Sequence, residues 1–431
     1  MTTASVTLAA ARTPPHSDLL DRKTGAIVFL AFAAAYFCSA LVRAITATLS
    51  PVLTQEFSLH ARDLGLLAGG YFLGFAAIQL PLGKWLDSYG PKRVILCFLT
   101  LAVLGCLAFS MASSFVGLLA ARVLLGMGVG ACLMAPLTGY RRWFEPSTQL
   151  RANSWMLMTG SLGMLSSTLP VQWLLPVTGW RPLFWILAAM VLLAMAALAW
   201  LTPDWRAAAA TDPSLPQSDL TAVASPGSYA EVWKSRYFRK LLPIGFFNYG
   251  GMVAMQTLWA GPWMIRVAGY TPLESATGLF FLNACMLATF YCWGLFNPRL
   301  ARAGWAAERL IAWLLPLSML VLAVNIWLGS ATGWFGWAAF CVASSVVGLA
   351  QPAVGMAFRP SLAGRAMAAY NLGIFAGVFV VQWGIGVLVD AFEGAGLGPA
   401  GSFQSALAVY LCCCLASYAY FVSVKVDNLA L

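Results

Sequence analysis

Gly83-Lys84-Trp85-Leu86-Asp87-Ser88-Tyr89-Gly90-Pro91-Lys92-Arg93 is a short polar interruption between two long apolar runs, 63–84 and 93–112. Gly83 lets the helix that ends there approach a neighbour closely. Gly90 permits a tight turn. Asp87, at a helix end, can face the N-terminus of a partner helix or the basic cluster of Lys92, Arg93, Arg141 and Arg142. Each flanking run is long enough to cross a bilayer, since a helix needs about 20 apolar residues to span the hydrocarbon core. The stretch therefore reads as the hairpin turn of two membrane-spanning helices.

The rest of the chain extends that reading. Of 431 residues, 61% are hydrophobic and only 9% are charged. Soluble domains are about 45–50% apolar and about 25% charged, so a water-soluble globule and a disordered chain are both excluded. The apolar runs are continuous rather than alternating, which argues for helices over a β-barrel. Twelve runs are expected as spans: 25–48, 63–84, 93–112, 116–139, 151–177, 181–201, 239–266, 275–297, 308–329, 334–358, 366–391 and 402–424. The polar segment 202–238, with Pro203, Pro213, Pro216 and Pro226, divides them into two sets of six. The expected organisation is a tail 1–24, a bundle 25–201, a linker 202–238, a bundle 239–424 and a tail 425–431. The start of the chain carries Pro14, Pro15, Asp18 and Asp21 instead of an apolar core, so it reads as a tail and not as a signal peptide. All ten cysteines, Cys38, Cys97, Cys106, Cys132, Cys285, Cys292, Cys341 and Cys412 to Cys414, fall inside apolar runs and read as packing residues, without metal-ligand or disulfide spacing.

Charge placement orients the chain. Twenty of the 25 lysines and arginines fall on the side of the two termini and three on the other; Arg43 and Arg122 lie within spans. By the positive-inside rule both termini are cytoplasmic, in an inner (plasma) membrane. The formal charge of +10 is then a topogenic signal facing anionic lipid, and nucleic acid is not a partner.

The halves also repeat. Phe144-Glu145-Pro146-Ser147 leads to Arg151-Ala152, and Phe358-Arg359-Pro360-Ser361 leads to Arg365-Ala366, both as F-x-P-S-x-x-x-R-A. Val171-Gln172-Trp173 and Val381-Gln382-Trp383 follow in the next span of each half. Two matches in the same order argue for duplication. Parallel six-helix repeats form a transporter architecture with its site between the halves near mid-membrane.

The loop from Gly83 to Arg93 resembles the signature loop of the major facilitator superfamily, roughly G-x-L-x-D-x-x-G-x-K/R-R, between the second and third helices. Arg122 with the glycine-rich run to Gly126, Gly128 and Gly130 resembles the family's second motif. The resemblance covers the whole chain in topology; the equivalent loop of the second half, Gly294 to Gly304, is degenerate, with Pro298 in place of an Asp. It implies an all-α membrane protein of 12 helices in two pseudo-symmetric six-helix bundles. It also implies that Gly83, Asp87, Gly90, Lys92 and Arg93 form a latch that stabilises the outward-open state. The alternative for this loop is a solvated turn that only sets topology.

Candidate substrate contacts come from polar groups inside the spans, where ionised groups are costly and mark function. Tyr36, Ser39, Arg43, Thr46 and Ser50 follow 3, 4, 3, 4 spacing and share one face of the first helix. Arg43 keeps its charge at any working pH and offers a planar fork of donors suited to a carboxylate or another oxyanion; its bland role is a partner for helix carbonyls. Arg122 is a structural residue or a substrate contact, and Gly126 and Gly130 permit close helix packing. Asn248, Met252, Gln256, Trp259 and Trp263 follow 4, 4, 3, 4 spacing, a face suited to lining a cavity or to joining helices. Gln351, Asn371 and Gln382 are further candidates of the same two kinds.

No Asp or Glu lies mid-membrane, and His16 and His60 fall outside the bilayer core. The Gly-Pro antiporter motif is incomplete around Gly160, Gly163 and Pro170. Intramembrane arginine without carboxylate is similar to the superfamily's anion porters, including nitrate/nitrite porters. The arginines those carry on the second and eighth helices are missing here, which favours a small organic anion over nitrate. Metal import through methionines and ATP-driven pumping lack the residues they need. The expectation is a monomeric secondary transporter, not an enzyme, that moves a small solute by alternating access, with protons as the co-transported species or by exchange. It needs no metal or cofactor. Export of lipophilic drugs or cations is the alternative, which the aromatic seventh helix would suit. A receptor built on the same fold would need a signalling domain for which the linker and tail are too short.

Overall fold

The computed structural model describes residues 19–204 and 228–424. Most of the 1–24 tail, most of the 202–238 linker and the 425–431 tail lie outside the described residues. Within them the chain is helical throughout. The spans are α1 (Arg22–Phe57), α2 (Ala61–Ala77 continued by Gln79–Tyr89), α3 (Pro91–Met111), α4 (Phe115–Trp143), α5 (Pro146–Ser166 and Leu169–Thr178) and α6 (Trp180–Leu201). The second half holds α7 (Arg236–Ile244 through Ala260–Arg266), α8 (Pro272–Arg302), α9 (Ala307–Leu328), α10 (Trp334–Met356), α11 (Pro360–Gly394) and α12 (Pro399–Ser423). Nine of the described helices are each long and apolar enough to cross a membrane, and α2 makes ten if its bent halves count as one span. The other two, α5 and α7, are interrupted.

Proline explains the interruptions, because its ring removes one N–H and crowds the carbonyl four residues earlier. Pro81 sits four residues after Ala77, where α2 bends by 46°. Pro170 follows Ser166 in the same way, and Thr48 of α1 donates to the Ser167 carbonyl at this break at 2.8 Å. Pro352 follows a 3₁₀ stretch, Ser345–Leu349, inside α10. In α7 two π-helical turns, Gly245–Tyr249 and Met255–Trp259, follow Pro243 and precede Pro262. The first-bundle helices pack closely where glycine replaces a side chain. A methyl on Gly126 of α4 would lie 2.7 Å from the Tyr71 carbonyl carbon, and one on Gly74 of α2 would lie 3.0 Å from that of Val123.

The two bundles of six meet along α2 and α11, α1 and α7, and α5 and α8. The helix connections at 90, 144–145, 303–306 and 357–359 fall at one end, here the basic end. The turns 58–60 and 267–271 lie at the far end. The short helix Tyr229–Lys234, from the region read as linker, lies at the basic end. There Tyr229 Oη donates to the Leu80 carbonyl at 3.4 Å, and the Arg359 guanidinium holds both Glu231 oxygens at 3.0–3.1 Å.

Candidate functional site: an arginine among three tyrosines

Arg43 lies in the middle of α1. Its guanidinium lies near the Tyr36, Tyr71 and Tyr249 hydroxyls, and the Tyr71 hydroxyl donates to the Ser39 carbonyl of α1 at 3.4 Å. These groups come from α1 and α2 of one bundle and α7 of the other. Arg43 makes no ion pair among the described residues, and its Nε is buried without a hydrogen-bond partner. Ser39, one turn away, is 1% exposed and its Oγ also lacks a partner. The pocket is shaped by glycine: a methyl on Gly160 of α5 would lie 2.9 Å from Tyr36 Cζ, so only glycine leaves room for that ring. Gly163 meets the α1 backbone one turn further on, 3.2 Å from Leu41 N for the same construction. Both glycines serve the α1–α5 approach here.

Tyr71 connects two cations. Its hydroxyl faces Arg43, while its ring lies under Arg122, whose guanidinium carbon is 5.4 Å from the ring centre. Arg122 is 1% exposed. Its Nη1 donates to the Val42 carbonyl at 2.9 Å, tying α4 to α1, and its Nε and Nη2 have no partner among the described residues. Gly126 sits in the backbone seam with Tyr71. A methyl on Gly130 would meet the Ile78 side chain first, with the Met127 carbonyl oxygen at 3.4 Å.

The seventh-helix residues do not share one cavity face. Asn248 donates to Ser417 of α12 at 3.0 Å and Gln256 to Asn283 of α8 at 3.0 Å. Met252 packs toward Cys341 of α10. Trp259 Nε1 donates to the Gln382 carbonyl of α11 at 3.0 Å, and Trp263 Nε1 to the Thr332 carbonyl at 3.0 Å. Each π turn holds an extra residue and rotates the helix beyond it, so 3.6-residue spacing misplaces the face. Tyr249, one position after Asn248, is the residue turned toward Arg43. Gln351 donates to Asn371 at 2.6 Å, and Gln382 donates to Thr257 Oγ1 at 2.9 Å while its Oε1 is unpartnered.

At the far end the bundles are joined. Asp390 of α11 accepts from the Ala61 and Arg62 backbone N–H groups, both at 3.0 Å, and Arg62 Nε is 3.9 Å from it. A cavity of about 430 Å³ lies on this side, bordered by Ser50, His60, Trp259, Arg266, Glu393 and Phe403 among others. Arg266 pairs with Glu393 at 2.6 Å. At the basic end Gly90 has φ 78°, a left-handed turn. Lys92 pairs with Asp204 at 2.9 Å, and that contact holds the Asp204 carboxyl below its ordinary value. Asp87 and Arg93 are exposed, and Asp87 makes no ion pair among the described residues. Among the described residues nothing lies within 4 Å of a methyl built on Gly83, so the close approach expected of this glycine is not made in this conformation.

Sequence reading missed Tyr71, Tyr249 and Asp390. Tyr71 lies beside Gly70 and Gly74 in a run that reads as plain packing. Tyr249 needed the π turns, and Asp390 looked like a residue of the outer end of a helix.

The model of the Major Facilitator Superfamily matches residues 32–382. Among curated relatives, the chain is 25% identical over 158 residues to the probable sulfoacetate transporter SauU of Cupriavidus necator, covering 36% of each chain. It is 26% identical over 161 residues to the hexuronate transporter of Escherichia coli, covering 37% of each. It is 23% identical over 289 residues to the 4-hydroxybenzoate transporter PcaK of Acinetobacter baylyi, covering 59% of this chain and 62% of that one. The matched stretches thus span little more than a third of the first two relatives. Among solved structures, an inward-facing, unoccupied bacterial homologue of the human lysosomal transporter Spinster superposes with a TM-score of 0.73 at 18% identity, covering 93% of this chain and 97% of that one. A D-xylose–proton symporter superposes with a TM-score of 0.72 at 12% identity, covering 92% and 97%. With a family model spanning most of its length and the two-bundle helical architecture, this chain belongs to the major facilitator superfamily.

Proposed function

We propose that the protein is a secondary transporter that carries a small organic anion across the plasma (inner) membrane by alternating access, with both termini cytoplasmic. The observation that carries the reading is Arg43. It is a guanidinium at mid-membrane with no carboxylate partner and a buried donor left open, between the two bundles. An uncompensated charge there is costly, and a bound carboxylate would offset the cost with paired hydrogen bonds from the planar fork. Tyr36, Tyr71 and Tyr249 would add hydroxyl donors and ring surface for the rest of the anion. The substrates that name the relatives, sulfoacetate, a hexuronate and 4-hydroxybenzoate, are all carboxylates, which fits an organic anion better than nitrate. The amides of the second bundle would serve by holding α7 and α11 in place.

The basic end, by the positive-inside rule, would face the cytoplasm. The far end is joined through Asp390 while Asp87 stands unpaired, an arrangement suited to an inward-open state, with the Asp87 loop closing in the outward-open one. All described carboxylates lie in loops or toward helix ends, so a coupled proton would travel on the substrate, or transport would run by exchange. The test is counterflow in proteoliposomes with a panel of radiolabelled carboxylates and lipophilic cations. A carboxylate should exchange in wild type and fall at least tenfold in Arg43→Gln at equal reconstitution. Exchange of cations alone, or an Arg43→Gln variant that matches wild type, would replace this reading with drug efflux.

A further inference from the structure

The contact between α2 and α11 is built with a carboxylate toward each end, on opposite helices. The two helices run antiparallel. Asp390, near the C-terminal end of α11, reaches the N-terminus of α2, where its two oxygens take the Ala61 and Arg62 N–H groups at 3.0 Å each. Asp87, near the C-terminal end of α2, lies at the end of the bundle where α11 begins with Pro360. We infer that Asp390 is the far-end half of a two-ended switch in which each helix offers a carboxylate to the N-terminus of the other, only one of the two contacts being made at a time. This rests on the alternating-access part of the proposed function and not on the identity of the solute.

The geometry favours a built contact over a chance one. Backbone N–H groups at a helix start have no partner within their own helix, and a carboxylate there is bound by charge as well as by hydrogen bonds. Here the carboxylate comes from the other bundle, so the contact joins the two rigid bodies. Gly386, one turn before Asp390, makes the approach feasible, since a methyl there would lie 2.8 Å from the Ala61 carbonyl carbon and 2.9 Å from Arg62 Cα. Further along the seam Gly69 faces Phe379, and Phe375 packs against Phe75 at 4.5 Å and Phe72 at 6.2 Å between ring centres. These rings give an apolar middle about which the ends can exchange. The other charged groups around Asp390 are Arg62 at 3.9 Å, Asp63, which pairs with Arg62 at 3.7 Å and with His60 at 3.5 Å, and the separate Arg266–Glu393 pair.

The test is amide hydrogen exchange on the purified full chain in lipid nanodiscs, without ligand. Asp390→Asn removes the charge and one acceptor. Ala61→Pro removes one of the two donors at a helix position that tolerates proline. A charge-assisted cap of this kind is worth about a tenfold shift between states. Both variants should therefore speed exchange about tenfold in the first two turns of α2 and the last two of α11. At the same time they should slow it over Gly83–Tyr89, as the basic end closes. Asp87→Asn should leave the far end as protected as in wild type. Faster exchange confined to residues 61–63, with the basic end unchanged, would reduce Asp390 to a local cap and overturn the switch; so would no change at either end. Since no solute is added, a failed switch is distinguishable from a failed anion site.

Discussion

Two glycines on neighbouring helices should respond to the same substitution with opposite signs. Gly126 of α4 faces the backbone of Tyr71, so its methyl would lie 2.7 Å from the carbonyl carbon and 3.0 Å from Cα. The Tyr71 carbonyl oxygen is nearer still, and none of these backbone atoms can move aside alone, so α2 and α4 must part for the methyl to reach ordinary contact. Gly74 fills the same seam from the other side, which blocks relief by sliding. Overpacking of this kind costs about 1–3 kcal/mol, and the shift displaces Tyr71 from Arg43. Gly83, within the helix Gln79–Tyr89, has nothing within 4 Å of the added methyl. There the gain is that of alanine over glycine in a helix, about 0.5–1 kcal/mol. Thermal unfolding in detergent should place Gly126→Ala below wild type and Gly83→Ala at or above it. If Gly126→Ala melts at or above wild type, the α2–α4 seam is wrongly described. Transport adds a second reading at Gly83. A more stable but slower Gly83→Ala would mean that the close approach expected of this glycine belongs to the other conformation.

Three further outcomes rest on single contacts. Arg122→Met removes one charged hydrogen bond, to the Val42 carbonyl, but also two buried donors without partners. Since replacing a buried charge by an apolar group is often neutral or stabilising, its melting temperature should match or exceed wild type, and a fall of several degrees would mean those donors are satisfied. Thr257→Val takes away the one partner that Gln382 Nε2 has among the described residues, beside an Oε1 that has none among them, and should cost about 1–3 kcal/mol in an unfolding titration; an unchanged midpoint would count against the α7–α11 tie. Lys92 depresses the Asp204 carboxyl below 3.8. The contribution of that pair is therefore present above the unfolded-state value and is lost as pH falls through the folded one. Melting between pH 6 and 3 (a range of about that width suffices) should be less acid-sensitive in Asp204→Asn, and parallel curves would remove the pair from the account.

Hydropathy and charge made the twelve spans and the two-bundle plan legible, because those signals act over about twenty residues and tolerate local error. Helix ends were less so: α1 runs from Arg22 to Phe57 where 25–48 was expected, and α7 begins at Arg236, inside the region read as linker. Arg43 stood out from the sequence since a charge inside an apolar run is too costly to persist without a role. Its neighbours did not. Tyr71 and Tyr249 come from other helices, and no periodicity within one helix reports what faces it from another. In α7 the helical template itself failed, because Pro243 and Pro262 flank π turns that shift the register between Asn248 and Trp263. The polar residues placed on one face there are spread among α8, α11 and α12, each bonded to a different helix.

Ligand-induced thermal stabilisation of the purified protein decides whether Arg43 anchors an anion. The panel would hold small carboxylates, inorganic oxyanions, amino acids and lipophilic cations, each on wild type and on Arg43→Gln. A ligand at about 100 times its dissociation constant stabilises by about 2.7 kcal/mol, well within detection. At least one carboxylate should stabilise wild type and lose that effect in Arg43→Gln. Stabilisation by lipophilic cations alone, or by a carboxylate equally in both proteins, would contradict it.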